Sequence, residues 1–392
     1  MNIAIDDRTL ARMTDWRHHL HANPELAYRE TETANFVAAR LEEMGIVVER
    51  GCGGTGVVGV LTGNLGPGRS IGLRAELDAL PLTEEGTLPH RSRNEGVMHA
   101  CGHDGHMAIL LGAANVLSRN RDFAGTVAFI FQPAEENEGG AIRMIAEGLF
   151  EDHPVDAIYA LHNWPGLTMG HIAVQPGPMM AQYDTFEFTI NGRGGHAALP
   201  QTLRDPSIAA GQLISAIQGV VARSIDPFDQ AVVSITRLLG GASYNVVPDT
   251  IELSGSVRTL DTAVQDRIRE RLQEIACGIG MAFETEINLA YQTRFGSTVN
   301  TLHEAALAQR AASRVVGRDH VNTQFRPSMA SEDFSAMLQR RPGAFAWIGA
   351  GEGPGLHQST FDFNDALLRP GASYFCTLVA EELKATDSPE RT

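Results

Sequence analysis

"YDTFEFTING", residues 183–192, is where the chain changes style. Aromatic and aliphatic residues alternate there with polar ones at period two, the pattern of a strand with one face buried. Reading on from it, the spacing predicts a helix over 206–222, strands over 231–239 and 250–258, a helix over 262–278 and a strand over 283–291. That order, β-α-β-β-α-β, is the ferredoxin-like arrangement, completed in roughly 110 residues. On the N-terminal side the style is different. Two helical stripes come first: Leu10, Met13, Trp16 and Leu20, then Phe36, Val37, Leu41 and Met44, with Gly45 as a stop. Short β-type runs follow at 57–63, 70–77, 125–132 and 155–162, with helical stretches at 105–118 and about 139–148. Beyond 295 that style returns, with a helix near 302–316, "SEDFSAML" (331–338), a strand over 344–349 and a last helix over 369–385. Strands alternating with helices build a sheet covered on its faces. The expected fold is α/β: a mixed, largely parallel sheet flanked by helices, residues 1–182 and 295–392, interrupted by an inserted ferredoxin-like α+β domain, 183–294. Two domains also suit a chain of 392 residues.

Composition excludes several function classes. A net charge of −16 argues against a nucleic-acid partner, because phosphate binding needs a basic face. The apolar runs, such as "TVAFIF" (126–131), are far short of a membrane span. "MNIAIDDRTL" lacks the basic and apolar regions of a secretory signal. Cysteines 52, 101, 277 and 376 show neither CxxC spacing nor a disulfide framework, so the chain reads as reduced and cytoplasmic. "ATDSPERT" (385–392) reads as a loose polar tail. "GCGGTG" (51–56) matches G-x-G-x-x-G, but a strand follows it where a dinucleotide site needs a helix. A glycine-rich hairpin turn is the better reading.

Four stretches carry ligand chemistry. "HACGHDGH" (99–106) places Cys101 and His103 two apart, a spacing that faces both the same way in an extended segment. His99 and His106 bracket them as supporting residues. "FQPAEENEGG" (131–140) ends a strand in adjacent carboxylates, Glu135 and Glu136, whose repulsion asks for a positive partner. One could bind a metal while the other takes a proton from water. "LHNWPG" (161–166) puts His162 at a strand end, and "PGLHQSTFDFND" (354–365) puts His357 in a loop before the last helix. In open α/β sheets ligands gather at the carboxyl ends of strands. A mixed S, N and O donor set there suits two divalent metals sharing a bridging group. In the inserted domain, "NGRGGHAALP" (191–200) carries His196 without the Lys-Ser/Thr of a P-loop. "SYNVVPD" (243–249) and "SVRTL" (256–260) offer Asn245 and Arg258, the latter in a predicted strand where it either faces solvent or is held for a carboxylate.

Taken in order, "HANPEL", "RAELDALP", "HACGHDGH", "PAEENEGG", "LHNWPG", "GRGGHAALP", "NVVPD", "SEDF" and "LHQSTFDFND" resemble the aminoacylase/carboxypeptidase family of dinuclear metallohydrolases. The likeness is to its branch of hippurate hydrolases, N-acyl-amino-acid amidohydrolases and auxin-conjugate hydrolases, and it covers nearly the whole chain. The resemblance implies Cys101 as a metal-bridging thiolate, with His103, Glu136, His162 and His357 as the other ligands. It implies Glu135 as general base and His196 as oxyanion stabiliser, in relatives often from a partner subunit. Asn245 and Arg258 would hold the substrate, and Asp78 would orient a ligand histidine. Glu76, where relatives often carry aspartate, is not expected to touch the metals. The implied cofactors are two divalent ions (Zn, Mn, Co or Ni), since thiolate with imidazole excludes a pure Mg or Ca site. The implied reaction splits an N-acyl amino acid into a carboxylic acid and a free amino acid, with the smaller domain as lid and homodimer surface. Peptide or carbamoyl-amino-acid hydrolysis could use the same site. A cysteine nucleophile and a binding-only protein are the rival classes.

Overall fold

The computed structural model describes residues 4–136 and 139–384. The expected tail, 385–392, lies outside them. The chain divides into two compact units. One holds the residues up to Met179, Val299–Arg326 and those from Asp333 onward; the other holds Met180–Thr298 and Pro327–Glu332.

The first unit is built on an eight-stranded sheet. Its order is Val47–Cys52, Gly56–Thr62, Thr126–Gln132, Ser70–Glu76, Ala157–Pro165, Gly343–Gly351, Ile172–Ala173 and Val321–Asn322. The four central strands are parallel, from Thr126–Gln132 through to Gly343–Gly351. Antiparallel pairs flank them on both sides, so the sheet is mixed and largely parallel, as expected. Parallel strands are buried on both faces and read as continuous apolar runs. The run "TVAFIFQ" is of this kind, with Val127 to Gln132 all buried. The helix His103–Arg119 is buried from His103 to Leu117, so it lies inside the unit. The first helix, Asp7–Ala22, starts where the Asp6 carboxylate accepts the Thr9 N–H at 2.7 Å. Met13, Trp16 and Leu20 then face the core.

The "GCGGTG" turn is a hairpin: Val47–Cys52 pairs antiparallel with Gly56–Thr62. The strand Val47–Cys52 itself is not legible from its residues. It is mostly exposed along its length, and pairing with its neighbour defines it.

In the second unit the strands run Ala231–Leu239, Thr250–Thr259, Gln182–Asn191 and Glu286–Phe295, all antiparallel. The helices Pro206–Ser224 and Thr262–Phe283 connect them in β-α-β-β-α-β order. Phe186, Phe188 and Ile190 of "YDTFEFTING" are buried with Leu213, Ile217 and Leu272 of the helices. The second helix runs to Phe283, past the glycines 278 and 280 that suggest a stop at 278. Its packing on the strand Glu286–Phe295 outweighs the cost of glycine inside a helix. The segment 327–332 belongs with this unit, which no periodicity in the sequence signals.

Candidate metal centre

Cys101 and His103 do share a site, though not by lying in an extended segment. Gly102 between them is left-handed, with φ of 97°, and His103 opens the helix His103–Arg119. The bend at Gly102 aims both side chains inward. A Cβ at Gly102 would lie 2.1 Å from Asn163 Oδ1, so glycine is required on both counts.

Glu135 and Glu136 follow a strand end. Ala134 before them is left-handed, with φ of 53°. The buried Glu30 carboxylate holds that turn by accepting the Ala134 N–H at 2.9 Å. The Glu136 N–H is in turn taken by Asp78 Oδ2 at 2.9 Å. Two side-chain acceptors therefore pin a loop that its own carboxylates would push apart.

His162 lies near the end of the strand Ala157–Pro165, in parallel register with Trp347. His357 arrives on a loop, its N–H donating to Ala100 O at 2.8 Å beside Cys101. Its side chain is 52% exposed while the other expected ligands are largely enclosed, so His357 marks the open side of the cluster.

The structure brings these residues close together. Cys101, Glu136 and His357 offer donor atoms within 4.8 Å of one another, and so do His103, Glu135 and Glu136; Glu136 is common to both groups. Cys101 Sγ lies 3.4 Å from His162 Nε2. His357 Nε2 lies 3.1 Å from Glu136 Oε1, and His103 Nε2 lies 3.9 Å from Glu135 Oε2.

The tautomers are set for cation binding. His162 Nδ1 donates to Asn163 O at 2.7 Å and His103 Nδ1 donates to Asp78 O at 2.8 Å, which leaves both Nε2 atoms facing the cluster. Asp78 thus orients His103 chiefly through its main-chain carbonyl. Its carboxylate Oδ1 is farther off, at 3.5 Å. His103 Nε2 is buried without a hydrogen-bond partner, a costly arrangement unless something else binds there.

The electrostatics agree. Burial, joined by the charges of Glu136 and Glu135, pushes the Cys101 thiol well above its ordinary range. Burial and the neighbouring His106 hold the His162 imidazole well below its own. Both shifts run opposite to those that activate a cysteine–histidine nucleophile, in which the thiol is lowered and the imidazole accepts its proton. Burial alone would lower His103, but the Asp78 carboxylate and the charge of Glu76 outweigh it and push it up to about 10. The cluster therefore carries excess negative charge that calls for cations. Buried thiol, imidazole and carboxylate donors fit divalent transition metals.

A second layer escapes sequence reasoning. Buried Arg74 donates to Glu76, to Gln132 at 2.9 Å and to Asp333 at 3.1 Å. Glu76 accepts from His106 Nδ1 at 2.8 Å. Arg74, Glu76 and Asp78 recur at period two in an otherwise apolar strand and its extension; that alternation was the available signal. Arg17, fully buried, donates to Asp104 at 3.0 Å and to Asp362. It joins the cysteine loop to the loop that carries His357. His21 of "HANPEL" donates to the same Asp104 from Nδ1 at 2.9 Å.

The other expected residues belong to the second unit. His196 pairs in register with Val246, and the Asn245 carbonyl accepts the Ala197 N–H at 3.1 Å. His196 Nδ1 accepts from Ala198 N–H at 3.1 Å, which leaves the proton on Nε2. Arg258 lies over the Tyr183 ring at 3.9 Å and donates to Ser331 Oγ at 2.7 Å.

Comparison with known proteins agrees with this architecture. Residues 72–381 match the model of peptidase family M20/M25/M40. The chain is 41% identical to a hippurate hydrolase of Campylobacter jejuni, over 94% of this chain and 96% of that protein. It is 38% identical to an N-acetylcysteine deacetylase of Bacillus subtilis, over 94% and 96%. A crystal structure of a Bacillus subtilis dinuclear metal binding peptidase from the M20 family superposes with a TM-score of 0.86 at 34% identity, covering 97% of this chain and all of that one. The chain belongs to peptidase family M20/M25/M40.

Proposed function

We propose that this protein is a metal-dependent amidohydrolase that cleaves N-acyl amino acids to a carboxylic acid and a free amino acid. One observation carries the reading: two donor groups that share Glu136, with Glu135 in one of them and His357 opening the other to solvent. Relatives named for hippurate and N-acetylcysteine support benzoyl and acetyl groups as the acyl part.

Cys101, His103, Glu136, His162 and His357 are the residues assigned to two divalent ions, Zn, Mn, Co or Ni. Such ions, when bound, polarise the amide carbonyl and make water acidic enough to attack near neutral pH. Glu135 would take a proton from the attacking water and deliver it to the leaving nitrogen. His196, with its proton on Nε2, donates to the developing oxyanion. Arg258 takes the substrate carboxylate, and Asn245 helps position the amide.

The reading includes a cytoplasmic homodimer joined through the second unit. All four cysteines are free thiols, and no helix among the described residues is long and apolar enough to cross a membrane. The edge strand Ala231–Leu239 exposes Val232, Leu238 and Leu239, an unprotected edge suited to pairing.

The test is amino-acid release from acetyl-, benzoyl- and indole-acetyl-amino acids by chelated enzyme, with and without added Mn, Zn, Co or Ni. Metal-restored release is expected. No release with any metal, from protein shown to bind two ions, would overturn the acyl assignment in favour of peptide or carbamoyl substrates.

A further inference from the structure

Glu76, His106, His103 and His162 bring donor atoms within 4.8 Å of one another, and all four are buried. By donor type alone this is a metal site, but its hydrogen bonds say otherwise. Glu76 spends one carboxylate oxygen on Arg74 and the other on His106 Nδ1, at 2.8 Å. His106 Nε2 accepts the main-chain N–H of Asn163 at 3.0 Å. Neither ring nitrogen of His106 keeps a lone pair for a cation.

What remains is a chain of bonds with one direction. A main-chain N–H can only donate, and a carbonyl can only accept. His162 Nδ1 donates to Asn163 O at 2.7 Å, Asn163 N donates to His106 Nε2, and His106 Nδ1 donates to Glu76. Arg74 holds the far side of that carboxylate. The Asn163 side-chain amide also faces His106 Nε2, its oxygen placed 2.7 Å away while its Nδ2 has no partner. With oxygen and nitrogen exchanged, it donates to the same lone pair and fits the same direction. His162 packs edge-on against His106, ring centroids 4.4 Å apart, so the two imidazoles are fixed together.

We infer that the buried Arg74–Glu76–His106 chain is a positioning brace that, through the main chain of Asn163 and the packed His106 ring, holds the His162 imidazole where its Nε2 faces a divalent cation. The inference rests on the reading of His162 as a metal ligand. It gives Glu76 a specific duty: two acceptor oxygens, one for each of two buried donors. A glutamine there has one oxygen and one NH2, so it must leave Arg74 or His106 unmatched. An NH2 facing His106 Nδ1 would drive the ring proton to Nε2, against the Asn163 N–H.

The experiment compares Glu76→Gln with Glu76→Asp, which keeps both oxygens. Zn2+ affinity is read by competition with a chromophoric chelator, and the coordination sphere by visible absorption of the Co2+-loaded protein. Glu76→Gln is expected to weaken one of the two ions by about 10–100-fold and to alter the Co2+ spectrum, while Glu76→Asp stays near wild type. Wild-type protein that binds two ions, with Glu76→Gln unchanged in affinity and spectrum, overturns the brace alone. Wild-type protein that binds neither ion overturns the metal reading and the brace with it. Should Glu76→Gln not fold, His106→Gln and His106→Leu decide. The glutamine can donate to Glu76 and accept from Asn163, so it keeps the direction of both bonds and should retain affinity. The leucine should lose it, and equal affinities in the two variants overturn the brace.

Discussion

Gly102→Ala is the single change that most directly tests how the metal loop is held. Gly102 separates Cys101 from His103, and its φ of 97° puts it in the left-handed region. An L-residue there costs about 1–2 kcal/mol. The added Cβ would also meet the Asn163 side-chain amide, its nearest atom at 2.1 Å and Cγ at 2.9 Å. Asn163 has little room to retreat, because its N–H and its side-chain amide both face His106. Overpacking a tight site costs about 1–3 kcal/mol. The two effects sum to roughly 2–5 kcal/mol. The assay is urea unfolding of metal-free protein, which removes stabilisation by bound ions. Tryptophan fluorescence is the right signal, since Trp16, Trp164 and Trp347 all lie in the first unit. The expected result is a loss in that range, with weaker Zn2+ binding because Cys101 and His103 are displaced together. A loss below about 0.5 kcal/mol, with metal affinity intact, would refute both the left-handed turn and the Asn163 contact.

Three further outcomes are expected. Glu135→Ala should lower turnover by at least about 10²–10⁴-fold while two ions still bind; loss of metal in that variant would show that Glu135 and Glu136 share the ligand role. Arg258→Ala should raise KM for N-acyl amino acids by about 10–100-fold, the worth of one charge-assisted hydrogen bond, with a smaller change for substrates lacking the carboxylate; equal effects on both would remove Arg258 from carboxylate recognition. His21 should make stability fall on the alkaline side. Burial would lower its pKa, but the Asp104 charge and hydrogen bond raise it to about 9 in the folded protein, from 6.5. Its contribution is therefore fully present below pH 6.5 and is lost as pH rises through 9, a span worth roughly 3 kcal/mol. Urea midpoints of wild type and His21→Gln, measured at pH 6 and pH 9.5, should converge at the higher pH; a constant gap would contradict the ion pair.

Much of the chemistry lies open in the chain because the residues proposed as ligands sit at or near ends of elements, where short motifs survive without their surroundings. Cys101 and His103 flank a glycine bend, Glu135 and Glu136 follow a strand end, His162 lies near one, and His357 sits in a loop. Such positions announce themselves by residue type. The supporting groups are different. Arg74 and Glu76 lie inside the strand Ser70–Glu76, whose register alone decides that their side chains meet Gln132, Asp333 and His106. Arg17 sits on the first helix and reaches Asp104 and Asp362, partners 87 and 345 residues away along the chain.

The amino-acid sequence by itself determined the two styles of the chain, the periodicities of its strands and helices, and the donor types that a metal centre needs. Those properties are local, set by period two or 3.6 and by backbone permissiveness at glycine. Only the tertiary structure decided which nitrogen each histidine turns inward, and that Glu76 and His106 spend their lone pairs on hydrogen bonds. It also decided that the adjacent carboxylates Glu135 and Glu136 are pinned by Glu30 and Asp78. Hydrogen-bond direction and burial depend on partners brought from distant parts of the chain, and no spacing along the sequence encodes them.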